Sequence, residues 1–329
     1  MNGISRRGAI AGALAAACWL AAPGPAAAQN DYPNRPVVLI VGYAPGGAID
    51  QSARLLAHAL TASWGRPVVV ENRAGANGTI AATAVANAKP DGYTLLVTAT
   101  SHTLNKFVMK NLRYDPQTSF APVALTVDVP NVLVVNASSP YRSVGDLLTA
   151  MRAKRKEFNY ASQGLGGIPH LAAEMFKLRT RTDMTHVPYK GASQGMTDLI
   201  AGIVDMSFPS PGSVMSHIDG GKLRALAVSA TQRFALLKDV PTFAEAGVDD
   251  FTIGTWHGVL APAATPPAIV AKLNADINEV IRTAAFSEAL AAQGNAPAVP
   301  VTPAELAARL ARESRAFEEV AGSIDLGTK

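Results

Sequence analysis

VVLIVGYAPGGAIDQSARLLAHAL, residues Val37 to Leu60, joins three signals in one stretch. Five apolar, mostly β-branched residues (Val37–Val41) predict a buried strand. Ile49–Ser63 repeats apolar residues at helical spacing and predicts a helix. Between them a short turn carries Gly46 and Gly47, where a chain needs either a tight turn or close approach to a ligand. Strand, glycine turn and helix in this order build sheets of parallel strands covered by helices. The first turn of such a helix presents unpaired N–H groups and a positive dipole end, so it can hold an anion. A phosphate loop would place a lysine after the glycines, whereas Ala48-Ile49-Asp50 follow here, and Asp50 repels a polyphosphate. A carboxylate held by the N–H groups of Gly47 and Ala48 fits better. On this stretch alone the alternative stands that Pro45-Gly46-Gly47 is only a tight turn and Asp50 a helix-start charge.

Outward from this stretch, strands are predicted at Val68–Glu71 and Thr94–Thr98, with a short helix at Ile80–Asn87. A second series follows. Strands fall at Val132–Asn136, Thr185–Val187, Val204–Phe208 and Leu223–Ser229, and helices at Val144–Arg155, His170–Lys177 and Met196–Ala201. Phe251–Thr255 and Gly258–Leu260 read as two extended pieces, and terminal helices start after Pro266-Pro267 and Thr302-Pro303. Two series fit two α/β lobes, each a mostly parallel sheet flanked by helices. The chain crosses between them at Thr126–Val132 and Thr252–Gly258. Residues 29–128 and 254–329 then form lobe 1, and residues 129–253 form lobe 2. Ligands of such sheets sit beyond the carboxyl ends of the strands, here in the cleft between lobes.

A second glycine turn, Ser162 to His170, again leads into a helix. It lacks the spacing of a dinucleotide fingerprint. One glycine-bearing helix start per lobe implies a ligand gripped from both sides, with His170 either in the cleft or capping its helix. The loop Thr98–His102 is expected to line the cleft, with Ser101 and His102 as its polar candidates.

Gly191-Ala192-Ser193-Gln194-Gly195 matches the G-x-S-x-G pattern of serine hydrolases, with Asp205 or Asp239 and His257 following in chain order. Against that reading, Pro188 breaks the preceding strand and Tyr189-Lys190 are not an apolar strand end. The six histidines are scattered without metal-ligand spacing. The cluster Arg152–Lys156 lies at a helix C-terminus, where cations favour the dipole. It reads as a solvated face.

Residues 1–28 follow the plan of a cleavable signal peptide: Arg6-Arg7, an apolar alanine-rich run through Leu20, and Ala26-Ala27-Ala28 before Gln29. Paired arginines allow the twin-arginine route as well as the general one. The formal net charge of +4 falls to +2 without those two arginines, too near neutral to argue for nucleic acid. Cys18 is the single cysteine and lies in this segment, so the mature chain has no disulfide, thiolate nucleophile or cysteine-held zinc. Apolar residues make up 48% and charged residues 16%, which supplies a packed core. The mature chain reads as soluble and exported to the periplasm.

Several stretches resemble the extracytoplasmic solute receptors of the tripartite tricarboxylate transporter family, the Bug or TctC-like proteins. They are Tyr32–Pro36, Gly42–Asp50, Val70–Gly78, Lys89–Thr94, His186–Gly191, Gly220–Val228, Asp239–Thr242 with Glu245 and Gly247, and Leu260–Pro262. The resemblance covers residues 31–320. It implies a two-lobed periplasmic-binding-protein fold of type II-like plan that closes by a hinge on a small carboxylate, catalyses nothing and needs no cofactor or metal. The closed form would be offered to the large and small integral-membrane transporter subunits, with the receptor acting as a monomer. A receptor of the same fold feeding a signalling protein is the alternative.

Carried over residue by residue, the implied ligand site takes Tyr43, Gly46, Gly47, Ala48 and Asp50 from the first loop and Ser101 and His102 from the next. Ser162, Gly164, Gly167 and His170 come from the second glycine loop, joined by Tyr189, Phe208 and His257. In this resemblance Gly191–Gly195 falls in a Pro-Tyr-Lys-Gly turn and not in a nucleophile elbow. Two positions depart from the family's pattern. Pro209 stands where relatives often place an aspartate or another polar residue, which argues against an amino-acid ligand, and His257 follows Trp256 where an aromatic residue is usual.

Overall fold

The computed structural model describes residues 32–154, 156–293 and 295–323; the expected signal peptide lies outside them. β1 (Val37–Val41) lies between β2 (Val68–Asn72) and β3 (Thr94–Ala99) and runs parallel to both. A strand in that position is covered on both faces, which is why β1 contains no polar residue. α1 (Ala48–Trp64) turns Ala53, Leu56, Ala57 and Leu60 inward. Each fully buried leucine contributes about 2 kcal/mol. Gly65, in the left-handed region at φ 61°, ends the helix by giving its N–H to Thr61 O.

β10 (Gly254–Pro262) completes the first sheet as an antiparallel strand between β3 and β4 (Phe120–Pro130), in the order β2-β1-β3-β10-β4. The second sheet contains β5 (Val132–Asn136), β6 (Asn159–Ser162), β7 (Thr185–Pro188), β8 (Met206–Ser207) and β9 (Leu223–Val228). Its order is β7-β6-β8-β5-β9. In both sheets the fourth strand runs against the other four. Two mostly parallel sheets with flanking helices make a two-lobed α/β fold, and the lobes share one topology.

The reversed strand of each lobe is the one reached after the chain changes sheets. β4 ends at Pro130 and β5 starts at Val132. Asn131, between them, receives Ser229 N at its carbonyl (2.9 Å) and gives its own N–H to Ser229 Oγ (2.8 Å). Ile253 N donates to Ser229 O at 3.2 Å, so both crossing segments share one knot. A Cβ on Gly254 would lie 2.4 Å from Val129 O, so only glycine lets the crossing strands approach this closely. Phe251–Thr255 and Gly258–Leu260, read from sequence as separate pieces, meet in one strand, β10, which starts only at Gly254 and shifts register against β4 at His257/Gly258 and Val259/Leu260.

The remaining helices are α2 (Thr79–Ala86), α3 (Ser101–Val108), α4 (Val144–Arg152), α5 (Ile168–Thr180), α6 (Ala192–Ile200), α7 (Met215–Asp219), α8 (Pro267–Ile281), α9 (Ala284–Ala291) and α10 (Pro303–Ser323). α4 carries a full capping box between Ser143 and Asp146. α10 packs on β4 and α3 in the first lobe and on α5 in the second. Its Glu319 pairs with Arg179 of α5 at 2.5 Å, and Phe317 and Val320 enter a buried cluster with Phe176 and Phe251. The terminal helix, which the sequence places with lobe 1, therefore also packs on a helix that flanks the second sheet. No helix of the described residues is long and apolar enough to cross a membrane.

Candidate ligand-binding site

α1 and α5 begin in the same way. Their N-caps are glycines with matching extended backbones, Gly47 (φ −72°, ψ 165°) and Gly167 (φ −71°, ψ 156°), and neither has a side-chain cap. Each is preceded by a left-handed glycine, Gly46 (φ 81°) and Gly166 (φ 73°). The third helical residue then reaches back to that glycine. Gly46 N donates to Asp50 Oδ2 at 2.8 Å, and Gly166 N donates to His170 Nδ1 at 3.1 Å. Among the described residues no partner receives the N–H groups of Ala48, Ile49 and Asp50 in the first loop, or of Ile168 and His170 in the second. Pro169 has no N–H to offer. Each lobe thus presents an uncapped helix start with a positive dipole end, a cradle for one anion.

Asp50 shapes the first cradle from within. It is buried, and its oxygens also accept from Arg54 Nε (2.9 Å) and Asn72 Nδ2 (2.7 Å). Burial pushes its carboxyl upward, but the bonds from Arg54, Gly46 and Asn72 outweigh that and hold it below the ordinary value. With its acceptors used inside the loop, Asp50 faces the backbone rather than open space. Asn72 also gives a hydrogen to Tyr43 O at 3.1 Å. The Tyr43 hydroxyl joins Ser101 Oγ, and burial raises its pKa despite bonds from Ser101 and Thr98.

Three expected site residues are placed inside the lobes. Ser101 opens α3, where sequence expected a cleft loop, and the helix turns His102 into the core. The His102 ring stacks on Tyr114 at 5.4 Å, meets the edge of Phe120 at 5.0 Å and bonds Pro116 O through Nε2 at 3.2 Å. Phe208 is fully buried among Phe176, Phe243 and Phe251. His257 on β10 is 2% exposed and lies 2.9 Å from Ser52 Oγ of α1 through Nδ1. Ser52 gives its own proton to Ile49 O (3.0 Å), which leaves its oxygen to accept from the imidazole. Burial holds His257 down to about 4, so it is neutral and braces α1 from beneath.

In the second lobe Ser162 Oγ accepts from Gly164 N (3.2 Å) and lies 2.6 Å from His186 Nε2. The His186 ring packs beside both His170 at 4.3 Å and Tyr160 at 4.9 Å, and those two rings also meet at 6.3 Å. Burial, and then the neighbouring His186, hold His170 down to about 4, which keeps Nδ1 free to accept from Gly166. The Tyr189 hydroxyl donates to Asp198 at 2.7 Å, and burial with that carboxylate pushes it up to about 12. Its ring lies against α6, where a Cβ on Gly195 would sit 3.0 Å away. That packing accounts for the second glycine of the G-x-S-x-G pattern. No histidine contacts Ser193 among the described residues; His257 is held by Ser52, and Asp205 by Lys156 and the Asn159 N–H.

Sequence reading missed Asn72, Ser52, Arg54 and His186. Asn72 ends β2 beside the carboxyl end of β1, a placement that strand order alone reveals. Among the described residues no group of three His, Cys, Asp or Glu is placed to hold a metal ion.

The family profile described as tripartite tricarboxylate transporter family receptor, TctC, matches residues 52–317. The chain belongs to that family. Protein BugT of Bordetella pertussis is 39% identical to this TctC-family chain over 293 residues, 88% of this chain and 89% of BugT. A TctC solute-binding protein from Polaromonas, solved without ligand, is 30% identical and superposes with a TM-score of 0.84 over 89% of this chain and all of its own. An R. palustris protein solved with adipate is 35% identical, with a TM-score of 0.63 over 89% of this chain and 98% of its own. TctC-family receptors are periplasmic solute-binding proteins that take carboxylate ligands.

Proposed function

We propose that this chain is a periplasmic receptor that captures a small organic carboxylate by hinge closure and delivers it to the large and small membrane subunits of a tripartite tricarboxylate-type transporter. The observation that carries the reading is the pair of matching cradles, α1 on one lobe and α5 on the other, each with a left-handed glycine and unpartnered N–H groups. Neither cradle contains a lysine, so each suits a singly charged carboxylate oxygen pair better than a phosphate chain. Lobe 1 comprises residues 29–128 and 254–329, lobe 2 residues 129–253, and closure pivots on Val129–Val132 and Thr255–His257. The difference in TM-score, 0.84 with the unliganded relative against 0.63 with the adipate-bound one of higher identity, supports a hinge between rigid lobes. The chain works as a monomer without catalysis, after export and cleavage behind Ala28.

Thermal melting of the chain from Gln29 onward against organic acids tests this reading. A ligand at a thousand times its Kd adds about 4 kcal/mol, so a carboxylate should raise Tm while phosphate esters leave it unchanged. A chain freed of any retained ligand by unfolding and refolding, and still stabilised by no carboxylate, would sink the proposal.

A further inference from the structure

The second glycine loop is tied to two histidines whose rings lie 4.3 Å apart. His170 of α5 accepts the Gly166 N–H at Nδ1 (3.1 Å). His186 of β7 stands 2.6 Å from Ser162 Oγ through Nε2, and Ser162 accepts the Gly164 N–H at 3.2 Å. Ser162 and Gln163 line the pocket beside this loop, between the starts of α5 and α6. His186 therefore stands one hydroxyl behind the wall of that pocket. Its ring lies on the α5 side of the sheet, against His170 and Tyr160 of β6. There the buried Glu174 accepts from the Tyr160 hydroxyl (2.6 Å) and pairs with Lys177 (3.0 Å). Val187 and Tyr189 turn to the opposite face, under α6, where Asp198 accepts from the Tyr189 hydroxyl.

Two imidazoles this close hold one added proton between them, because a second would meet the charge of the first. The bonds decide which ring takes it. His170 must keep Nδ1 bare to hold Gly166. His186 need break nothing. The Ser162 hydroxyl has a second acceptor in Gly164 O at 3.1 Å, so it can turn there and accept from a protonated Nε2. Burial holds His186 below the ordinary histidine value, with Glu174 pulling against it and Lys177 adding to it, so the free chain leaves the ring neutral at about pH 7. A carboxylate in the cradle adds a negative charge on the other side of Ser162 and favours the imidazolium. We propose that capture of a carboxylate at the second cradle draws a proton from solvent onto His186, so that binding tightens as the pH falls. The proposal rests on the carboxylate-receptor reading and adds proton coupling to it.

Calorimetric titration of the chain from Gln29 onward tests it, with whichever of butyrate, hexanoate, benzoate and succinate binds most tightly. At about pH 7 the binding heat should differ between PIPES and imidazole buffers, whose ionisation enthalpies differ, because a proton is taken up. Affinity should rise at least about threefold from about pH 8 to pH 6, within the limit of about tenfold per pH unit that one proton sets. His186→Gln, which keeps a polar partner for Ser162, should give equal heats in both buffers and a flat pH profile. A merely structural role of His186 would lower affinity at every pH and leave the buffer dependence in place. His186→Asn serves if that variant does not fold. An NMR titration of the parent's histidine rings decides without any variant: one midpoint should rise when the acid is added, and no upward movement overturns the proposal. Equal heats and a flat profile in the parent overturn it while the receptor reading stands, and so does proton uptake that persists in a folded His186 variant. If no acid binds, the proposal falls together with the reading beneath it.

Discussion

At position 50 the first lobe holds the amide of Gly46 with a carboxylate, and at position 170 the second holds the amide of Gly166 with a neutral imidazole. Both side chains stand at the third residue of a helix, so one backbone plan serves two chemistries. Asp50 accepts three charged or polar donors in a buried setting. Asp50→Ala should therefore cost about 3 kcal/mol of stability and weaken carboxylate binding at least about tenfold, because the loop loses its clamp. Asp50→Asn, which keeps one acceptor, should lose less of both. Urea unfolding with titration of the best ligand checks this, and an Asp50→Ala variant with unchanged affinity refutes the clamp. Of these residues the glycines were legible in sequence, because a helix start between strand and helix is a local matter. The inward faces of His102 and His257 were not. They depend on Tyr114, Phe120 and Ser52, which the chain brings from other elements.

At the scale of elements, α10 ties the crossing strands to the first lobe. Its Glu313 accepts from Trp256 Nε1 on β10 (3.0 Å) and from Thr103 Oγ1 on α3 (2.9 Å), while Arg309 forks onto Asp128 of β4 at 2.5 and 2.8 Å. Burial pushes the Glu313 carboxyl up to about 7, against the pull of Arg309 and of its two donors. The unfolded chain releases this proton near the ordinary glutamate value and the folded chain only near 7. Stability is thus intact below the ordinary value and falls as pH rises between the two, by about 3 kcal/mol. Buried neutral His257 acts in the opposite sense, since its contribution is complete above the ordinary histidine value and fades as pH falls towards 4. Glu313→Gln should leave the histidine limb unchanged and flatten the fall towards pH 8, measured by urea unfolding from pH 5 to pH 8. A variant with the parent's slope would place the ionisation elsewhere.

For the whole molecule, two lobes of equal topology meet at a knot formed by Asn131, Ser229 and Ile253, with Gly254 beside it. Few segments connect the lobes, so a rigid rotation is the least costly large motion. In the proposed closure, a ligand gripped by both cradles would bind the closed arrangement more tightly and draw the population towards it. Small-angle X-ray scattering should show a smaller radius of gyration at saturating ligand. Scattering that does not change while calorimetry shows full occupancy would exclude closure. α10 is the element to watch, because it packs on both lobes and would have to slide or bend in such a rotation.

The sequence by itself determined the alternation of strands and helices, the two glycine helix starts and the family. Each of these follows from residues close together in the chain: apolar period, turn chemistry, and ordered motifs. The tertiary structure alone decided the reversed fourth strand of each sheet, the inward turn of His102, Phe208 and His257, and the reach of α10 across both lobes. Those features depend on which distant segments come into contact, and burial and hydrogen-bond satisfaction select those contacts only once the chain has closed on itself.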